Sequence, residues 1–352
     1  MTQTTKYANV LAKIGAERGV LLSQDKLKAL TESKNLNDFA LQLRETTYQE
    51  KIARTILPLT SLKFERIFNE NLVDAYVKTV KNSPEKTKPF LKMYLKQFEL
   101  ENIKALVKAV YAELSLEGKL SKIYFEVEDY LKNRALFEEA AKATDLKQIT
   151  TAFRKTGYSS TLKLGLKRYE ETGSTISFDV LLDKEYFEKL YDAYQKLPKN
   201  EKRHSLFNVS MEVDSFAMLM LLRGKALNYD SQWLRVAVPK CLFNLSKETL
   251  DSLISAPDYQ SALNVALKSH YGEFFAKAKT TEETISNAQK SFAIALLKHA
   301  AESRYSESFN VGSPLGFMYL KATEVHNLTA ISLGVEAGMS PEEILSVLLL
   351  VS

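Results

Sequence analysis

The stretch Met93-Tyr94-Leu95-Lys96 recurs as Met318-Tyr319-Leu320-Lys321, and a blurred third copy begins between them at Phe207. Five residues after each aromatic residue comes a glutamate followed by an apolar residue. These glutamates, separated by 113 and 112 residues, are Glu99, Glu212 and Glu324. Regular recurrence of a long pattern is the signature of an internal repeat. The chain is therefore predicted to be one structural unit written three times.

Each glutamate is followed three residues later by a small polar residue, which lies within its reach on a helix surface. These residues are Asn102, Ser215 and Asn327. The stripe of each helix continues with apolar residues, so the glutamates are expected to be half-buried. We predict that each one is satisfied by a lysine, an arginine or a backbone donor.

A second block, earlier in each unit, repeats with nearly the same period. It opens with a polar residue that is a good helix N-cap, namely Asn35, Asp145 or Asp258. A helix of about three turns is predicted to run from each opener to a tyrosine. The three tyrosines are Tyr48, Tyr158 and Tyr271. Unit boundaries near residues 118 and 229 follow, which gives predicted domains over 1–118, 119–229 and 230–352.

Composition predicts an all-α protein. Only 12 glycines and 8 prolines occur in 352 residues, and no Asn-Gly or Asp-Gly hairpin turn is present. The single cysteine, Cys241, excludes an internal disulfide and fits a reducing compartment. The polar N-terminus and the shortness of the apolar runs predict a cytosolic chain with no segment crossing the bilayer.

The charge balance argues against nucleic acid as a partner. Lysine and arginine number 48 against 43 acidic residues, and the densest basic stretches, 163–168 and 199–203, are interrupted by apolar or acidic residues. Nucleic-acid binding requires a clustered basic surface. We interpret these stretches as solvated helix faces. Anionic lipid headgroups stay open as a further candidate partner.

No motif of catalysis, cofactor binding or metal binding occurs. The chain lacks a P-loop, a dinucleotide-binding glycine fingerprint, a His-Glu-x-x-His sequence and paired cysteines, and its four histidines are scattered. The remaining route to catalysis is the acid pairs Glu99 with Glu101 and Glu212 with Asp214. Side chains two residues apart on a helix point in different directions, so we favour packing roles for them. A helical enzyme with an unrecognised acidic site is the weakest hypothesis.

Several groups of residues, in order along the whole chain, match one known family. They comprise Tyr7, Asn9, Arg18, Gly19, Leu21 and Leu22; Asp38, Phe39, Leu43, Thr46 and Tyr48; Tyr94, Glu99, Glu101 and Asn102; Glu212, Val213 and Asp214; and Gly338, Pro341, Glu342 and Glu343. In this order they resemble the socket protein of the rotary A/V-type ATPase central stalk, which is the C component of archaeal-type enzymes and the d component of eukaryotic ones. Ser215, Phe216 and His326 depart from the family pattern.

The resemblance implies three similar helical domains around a pseudo-threefold axis, which form a funnel with a central cavity. It implies a non-catalytic subunit, peripheral on the cytoplasmic side of the membrane, which couples the central axle subunits to the membrane rotor ring of proteolipid subunits during hydrogen ion transport. The residues expected to shape the inward surface are Glu99, Glu101, Glu212, Asp214 and Glu324. The alternative is a generic all-helical protein-binding scaffold, although solenoid repeats usually span 20 to 45 residues rather than about 112.

Overall fold

The computed structural model describes residues 3–306 and 309–351. These residues form helices joined by turns and contain no β-strand, which confirms the predicted all-α class. The helices are α1 Gln3–Gly19, α2 Gln24–Thr31, α3 Leu36–Gln42, α4 Gln49–Ala53, α5 Ser61–Asn82, α6 Lys88–Tyr111, α7 Leu116–Leu120, α8 Phe125–Leu131, α9 Arg134–Ala140, α10 Leu146–Ala152, α11 Ser159–Thr172, α12 Ile176–Gln195, α13 Lys199–Ala226, α14 Ser231–Ala237, α15 Lys247–Ser255, α16 Tyr259–Leu267, a 3₁₀ turn Gly272–Phe274, α17 Thr281–Ser306, α18 Gly312–Glu336 and α19 Pro341–Val347.

The chain divides into two compact units. Residues 1–88 together with 293–352 make the first unit, and residues 89–292 make the second. The predicted boundaries at residues 118 and 229 both fall inside the second unit, and the division into three domains stays a prediction.

The first unit is built around α18, which packs against α5, α1 and α2. Its core contains an aromatic cluster in which the rings of Phe39 and Phe64 meet edge to face at 5.0 Å, as do those of Tyr48 and Phe68. The Tyr76 hydroxyl donates a hydrogen bond of 3.0 Å to the backbone carbonyl of Met318. This bond fixes the register of α5 against α18 inside the packed core.

The second unit contains two long helices, α6 and α13, surrounded by shorter ones. The 28-residue helix α13 is long and apolar enough to cross a membrane by length and composition, but 78% of its apolar window is buried inside the protein. Burial of this extent is the behaviour of a core helix, whose apolar side chains are covered by neighbouring helices rather than by lipid.

The three predicted N-caps are confirmed, but the helices that follow them are shorter than predicted. The side chains of Asn35, Asp145 and Asp258 each accept a hydrogen bond from a backbone N–H in the first turn. Helices α3 and α10 contain seven residues and α16 contains nine, so each ends before its tyrosine.

A tight turn connects each of these helices to its tyrosine. In the first copy the Thr46 hydroxyl donates to the carbonyl of Leu43 and accepts from the N–H of Tyr48. Thr156 does the same before Tyr158, and Ser269 does so before Tyr271. A hydroxyl that bonds the local backbone in this way competes with the helix and ends it. We call this element the tyrosine turn.

Candidate functional site: three buried tyrosine–carboxylate pairs

Each tyrosine turn directs its hydroxyl to a buried carboxylate on a long helix. The pairs, with their oxygen–oxygen distances, are Tyr158 with Glu99 of α6 at 2.7 Å, Tyr271 with Asp214 of α13 at 2.8 Å, and Tyr48 with Glu324 of α18 at 2.6 Å. All six side chains are buried. Hydrogen bonds to an ionised acceptor are short and strong, so each pair holds a turn against a helix. We call these contacts the tyrosine–carboxylate pairs.

The pair between Tyr158 and Glu99 has an amide as its second donor. The side-chain amide of Asn133 donates to the other oxygen of Glu99 at 2.6 Å, and the ammonium of Lys96 lies 3.9 Å from the carboxylate. Burial, together with the negative charge of Glu99, raises the pKa of Tyr158 well above its ordinary value. The phenol therefore stays protonated and serves as a donor.

The pair between Tyr271 and Asp214 is completed by the backbone. Asp214 accepts hydrogen bonds from the N–H groups of Phe243, Asn244 and Leu245 at 2.9, 2.7 and 3.2 Å. Burial is again the main reason that the pKa of Tyr271 is raised, and Asp214 adds to it. A carboxylate with three N–H donors is well satisfied without a cationic partner.

The pair between Tyr48 and Glu324 includes a buried lysine. The Lys321 ammonium lies 2.7 Å from Glu324 and 2.9 Å from the Tyr48 hydroxyl, and it stands 4.6 Å above the centre of the Tyr48 ring. The backbone N–H of Leu22 donates to the second oxygen of Glu324 at 2.5 Å. Burial and the neighbouring carboxylate raise the pKa of Tyr48.

The small polar residues after the glutamates have a different role from the one predicted. Asn102 accepts from the N–H of Tyr124 at 2.8 Å and donates to its carbonyl at 3.2 Å. Asn327 makes the same two bonds with Leu349, at 2.8 and 2.9 Å. Both asparagines therefore hold a later loop to their long helix. Ser215 bonds instead to the backbone carbonyl of Glu212 at 3.2 Å.

The five predicted surface residues do not lie in equivalent surroundings. Glu99, Asp214 and Glu324 are buried in the tyrosine–carboxylate pairs. Glu212 is half-buried and accepts from the Tyr94 hydroxyl at 3.1 Å, and Glu101 is exposed beside Lys104 at 2.8 Å. Asp214, not Glu212, thus makes the contact that Glu99 and Glu324 make in the other copies.

The repeated lysine explains this exchange. Lys96 and Lys321 close the repeated tetrapeptide and reach the glutamate three residues later, but the middle copy has Val209 at that position. Without a lysine, the middle carboxylate lies two residues farther along and is satisfied by backbone N–H groups. The lysine of the tetrapeptide was the sequence signal for this network.

Glu128 is a buried acid that we interpreted from sequence only as the acidic start of the next unit. It is fully buried on α8, where it accepts from the Asn102 amide at 2.7 Å, and its second oxygen has no hydrogen-bond partner in the described structure. Burial raises its pKa to about 8, against the lowering effect of the Asn102 hydrogen bond, and nearby Glu99 raises it further. Acids flank Glu128 in sequence, so no pattern there distinguishes it from a solvated residue.

The arrangement as a whole orders helices and turns. Fully satisfied buried polar groups fix one register of neighbouring elements, because any displaced register leaves them unpaired. Within residues 3–306 and 309–351, no group of three or more histidine, cysteine, aspartate or glutamate side chains is placed to hold a metal ion.

An all-helical chain whose N-caps, tyrosine turns and buried carboxylates recur three times belongs to the class of internally repeated helical proteins. Comparison with known families identifies which one. Residues 10–347 match the ATP synthase (C/AC39) subunit family, and the chain belongs to that family. The resemblance seen in the sequence is thereby confirmed.

Relatives of known name are similar over nearly the whole chain. The C-type subunit of the A-type ATP synthase of Methanocaldococcus jannaschii is 27% identical over 97% of this chain and 86% of its own length. Its counterpart in Thermococcus onnurineus is 26% identical over 97% and 89%. The Methanothermobacter thermautotrophicus counterpart is 22% identical over 93% and 83%.

Proposed function

We propose that this protein is a non-catalytic rotor subunit of an A-type ATP synthase and couples the central axle to the membrane rotor ring. The observation that carries the proposal is the family match over residues 10–347, which leaves little of the chain for an added activity. An adaptor between one axle and a ring of many identical subunits has to resolve a symmetry mismatch. Three non-identical copies in one chain suit that task.

Torque transmission requires stiffness, and the tyrosine–carboxylate pairs support this requirement. Each pair joins a short turn to a long helix through buried, charge-assisted hydrogen bonds, which are stronger than bonds between neutral groups. Packed cores with few voids transmit strain rather than absorb it. The same repeated contacts agree with the proposed pseudo-threefold funnel of three helical domains.

Within this proposal the five carboxylates divide into two roles. Glu99, Asp214 and Glu324 shape the inward surface indirectly, because they are buried and hold the long helices in place. Glu101 and Glu212 retain accessible surface and are the two proposed to meet the axle directly. An axle whose helical end enters the cavity would dock by helix-in-groove packing.

An affinity tag on this chain tests the proposal. Purification from gently solubilised membranes is expected to recover axle and rotor-ring subunits together with the ATP-hydrolysing head. Deleting the protein is expected to leave ATP hydrolysis by the head intact and to abolish ATP-driven ion pumping into membrane vesicles. Recovery of unrelated proteins, with ion pumping unaffected by the deletion, would instead favour a generic helical scaffold.

Substituting Glu212 by alanine tests the axle contact separately. The affinity of the purified chain for the axle subunits is expected to fall while its helical circular dichroism is unchanged. Asp230→Ala is the control, because Asp230 is an exposed acid of the same unit. Equal axle affinity for the Glu212→Ala variant and the wild type would remove Glu212 from the proposed surface.

A further inference from the structure

The three copies diverge directly after the tyrosine turn. In the second copy the turn continues into the 14-residue helix α11, and in the third it leads into the 3₁₀ turn Gly272–Phe274. In the first copy, helix α4 ends after five residues at Ala53, and a loop runs to α5. A scaffold of three equivalent parts has no need of this loop, so its features belong to the first copy alone. We call residues 54–62 the apolar loop.

The apolar loop exposes large aliphatic side chains. Ile56, Leu57 and Leu62 are 82%, 70% and 69% exposed, the highest values for large apolar residues in the described chain. A groove of about 560 Å³ lies beside the loop, and its apolar lining residues are Ala40, Leu41, Ile52, Ala53, Leu57 and Leu59. Contiguous exposed apolar surface with a polar rim marks an interaction site.

Positive charge borders this surface. Residues 51–63 contain Lys51, Arg54 and Lys63 and no acid. Lys51 pairs with Asp74 at 3.0 Å and Arg54 pairs with Glu50, so both of these charges are compensated.

Two cations beside the apolar loop are not compensated. The Lys63 ammonium donates to the backbone carbonyls of Ile56 and Pro58 at 2.7 and 2.8 Å and to no carboxylate. Arg44 lines the groove and forms no ion pair with any residue that the structure describes. The charge complement of this site is therefore a carboxylate that stands beside an apolar side chain.

The equivalent position in the second copy lacks this combination. The groove beside α10 is lined by Arg154 and Lys155, but Thr151 stands where the first copy has Leu41. No apolar loop follows, because α11 continues as a helix. Cations beside the helix are thus common to both copies, whereas the exposed aliphatic side chains are specific to the first.

We propose that the apolar loop and its groove form the seat for a segment of the membrane rotor ring in which an apolar side chain stands next to a carboxylate. The proposal rests on the proposed function and names the surface that performs part of it. A shaped groove with polar groups at its rim fits a protein side chain, whereas fluid acyl chains require no groove. A membrane-embedded ring exposes apolar residues at the bilayer boundary, which suits the aliphatic side chains of the loop.

Binding of the full-length chain to the purified rotor ring in lipid nanodiscs tests the inference. Leu57→Asp and Arg44→Glu are each expected to weaken ring affinity at least about tenfold. The matched control is Leu227→Asp, a leucine of similar exposure in the second unit, which is expected to bind within about twofold of the wild type. Affinity for isolated axle subunits is expected to be unchanged in all three variants.

Each other outcome has a definite meaning. Unchanged ring affinity in both variants, with wild-type circular dichroism and a bound wild type, overturns the inference and leaves the proposed function standing. Loss of axle affinity instead of ring affinity also overturns it. Protein-free vesicles of phosphatidylcholine and phosphatidylglycerol that bind the wild type as tightly as the ring does would assign the surface to lipid and overturn it as well. A wild type that binds neither ring nor axle overturns the proposed function along with the inference.

Discussion

The tyrosine turn and the segment that follows it differ in how well the three copies agree. The turn uses the same hydroxyl contact and the same buried tyrosine–carboxylate hydrogen bond in every copy. The following segment is a five-residue helix and a loop in the first copy, a long helix in the second and a 3₁₀ turn in the third. The shared part holds the fold together, and the variable part is where one copy can acquire a partner that the others lack.

A second contrast lies among the pairs themselves, because each carboxylate is satisfied differently. Glu324 has a lysine, Asp214 has three backbone N–H groups and Glu99 has an asparagine amide. Only the hydrogen bond from the tyrosine is common to all three. The copies therefore preserve the position of the negative charge and vary the groups that compensate it.

The largest expected effect comes from removing the carboxylate that faces a buried lysine. Glu324→Ala leaves the Lys321 ammonium uncompensated in the core, and breaking a buried ion pair costs about 3–5 kcal/mol. Amide hydrogen exchange along α18 measures this loss in the first unit. The double variant Glu324→Gln with Lys321→Met is expected to recover most of the stability, because it leaves no buried charge. Equal destabilisation by both variants would show that packing, not charge, dominates at this pair.

The next effect concerns Glu128 and is read from the dependence of stability on pH. The folded pKa of Glu128, about 8, lies above the ordinary value of 4.5, so the folded state binds the extra proton between these values. Its contribution is complete below pH 4.5 and is lost as the pH rises towards 8, at up to about 1.4 kcal/mol per pH unit. Glu128→Gln is expected to flatten that slope and to raise stability at pH 8.

Fluorescence of Trp233, the only tryptophan of the chain, reports unfolding of the second unit and serves for this measurement. Glu126→Gln, two residues away, is the control and is expected to keep the wild-type slope. A slope that is the same in the wild type and in Glu128→Gln would show that Glu128 is ionised in the folded protein throughout this range.

A smaller and graded effect is expected when the tyrosine hydroxyls are removed one at a time. Tyr48→Phe and Tyr158→Phe each deprive a buried carboxylate of a donor, at a cost of about 1–3 kcal/mol. Tyr271→Phe is expected to cost the least, near 1 kcal/mol, because Asp214 keeps three backbone donors. Denaturant unfolding compares Tyr158→Phe with Tyr271→Phe within the second unit. The reverse order of cost would mean that the backbone bonds to Asp214 contribute less than their geometry indicates.

Much of this arrangement could be predicted from sequence, because its local parts depend on local chemistry. The N-caps at Asn35, Asp145 and Asp258 follow from side chains that bond the nearest backbone, and the structure contains all three. The helical class follows from composition. The period of the repeat identified both members of each tyrosine–carboxylate pair as repeated features, although it selected Glu212 where the structure uses Asp214.

The contacts themselves could not be predicted, since they join residues far apart in the chain. Tyr48 and Glu324 are separated by 276 positions, and a repeat period does not indicate which copy supplies which partner. Burial of Glu128 depends on Asn102 of another helix, and its own neighbours in sequence are acids typical of a surface. Local patterns thus predicted which residues recur, and only the tertiary structure shows which of them meet.

The smallest expected effect on stability is in the apolar loop, and it separates the two regions most sharply. Ile56→Ser removes an aliphatic side chain that is mostly in water, so the free energy of unfolding is expected to change by less than about 0.5 kcal/mol. Phe64→Ala, a few residues later and fully buried, is expected to cost about 3–5 kcal/mol. Hydrogen exchange of α5 measures both variants under the same conditions. A loop that tolerates such substitutions keeps its aliphatic side chains for a reason other than folding, whereas a large loss of stability in Ile56→Ser would place the loop with the scaffold.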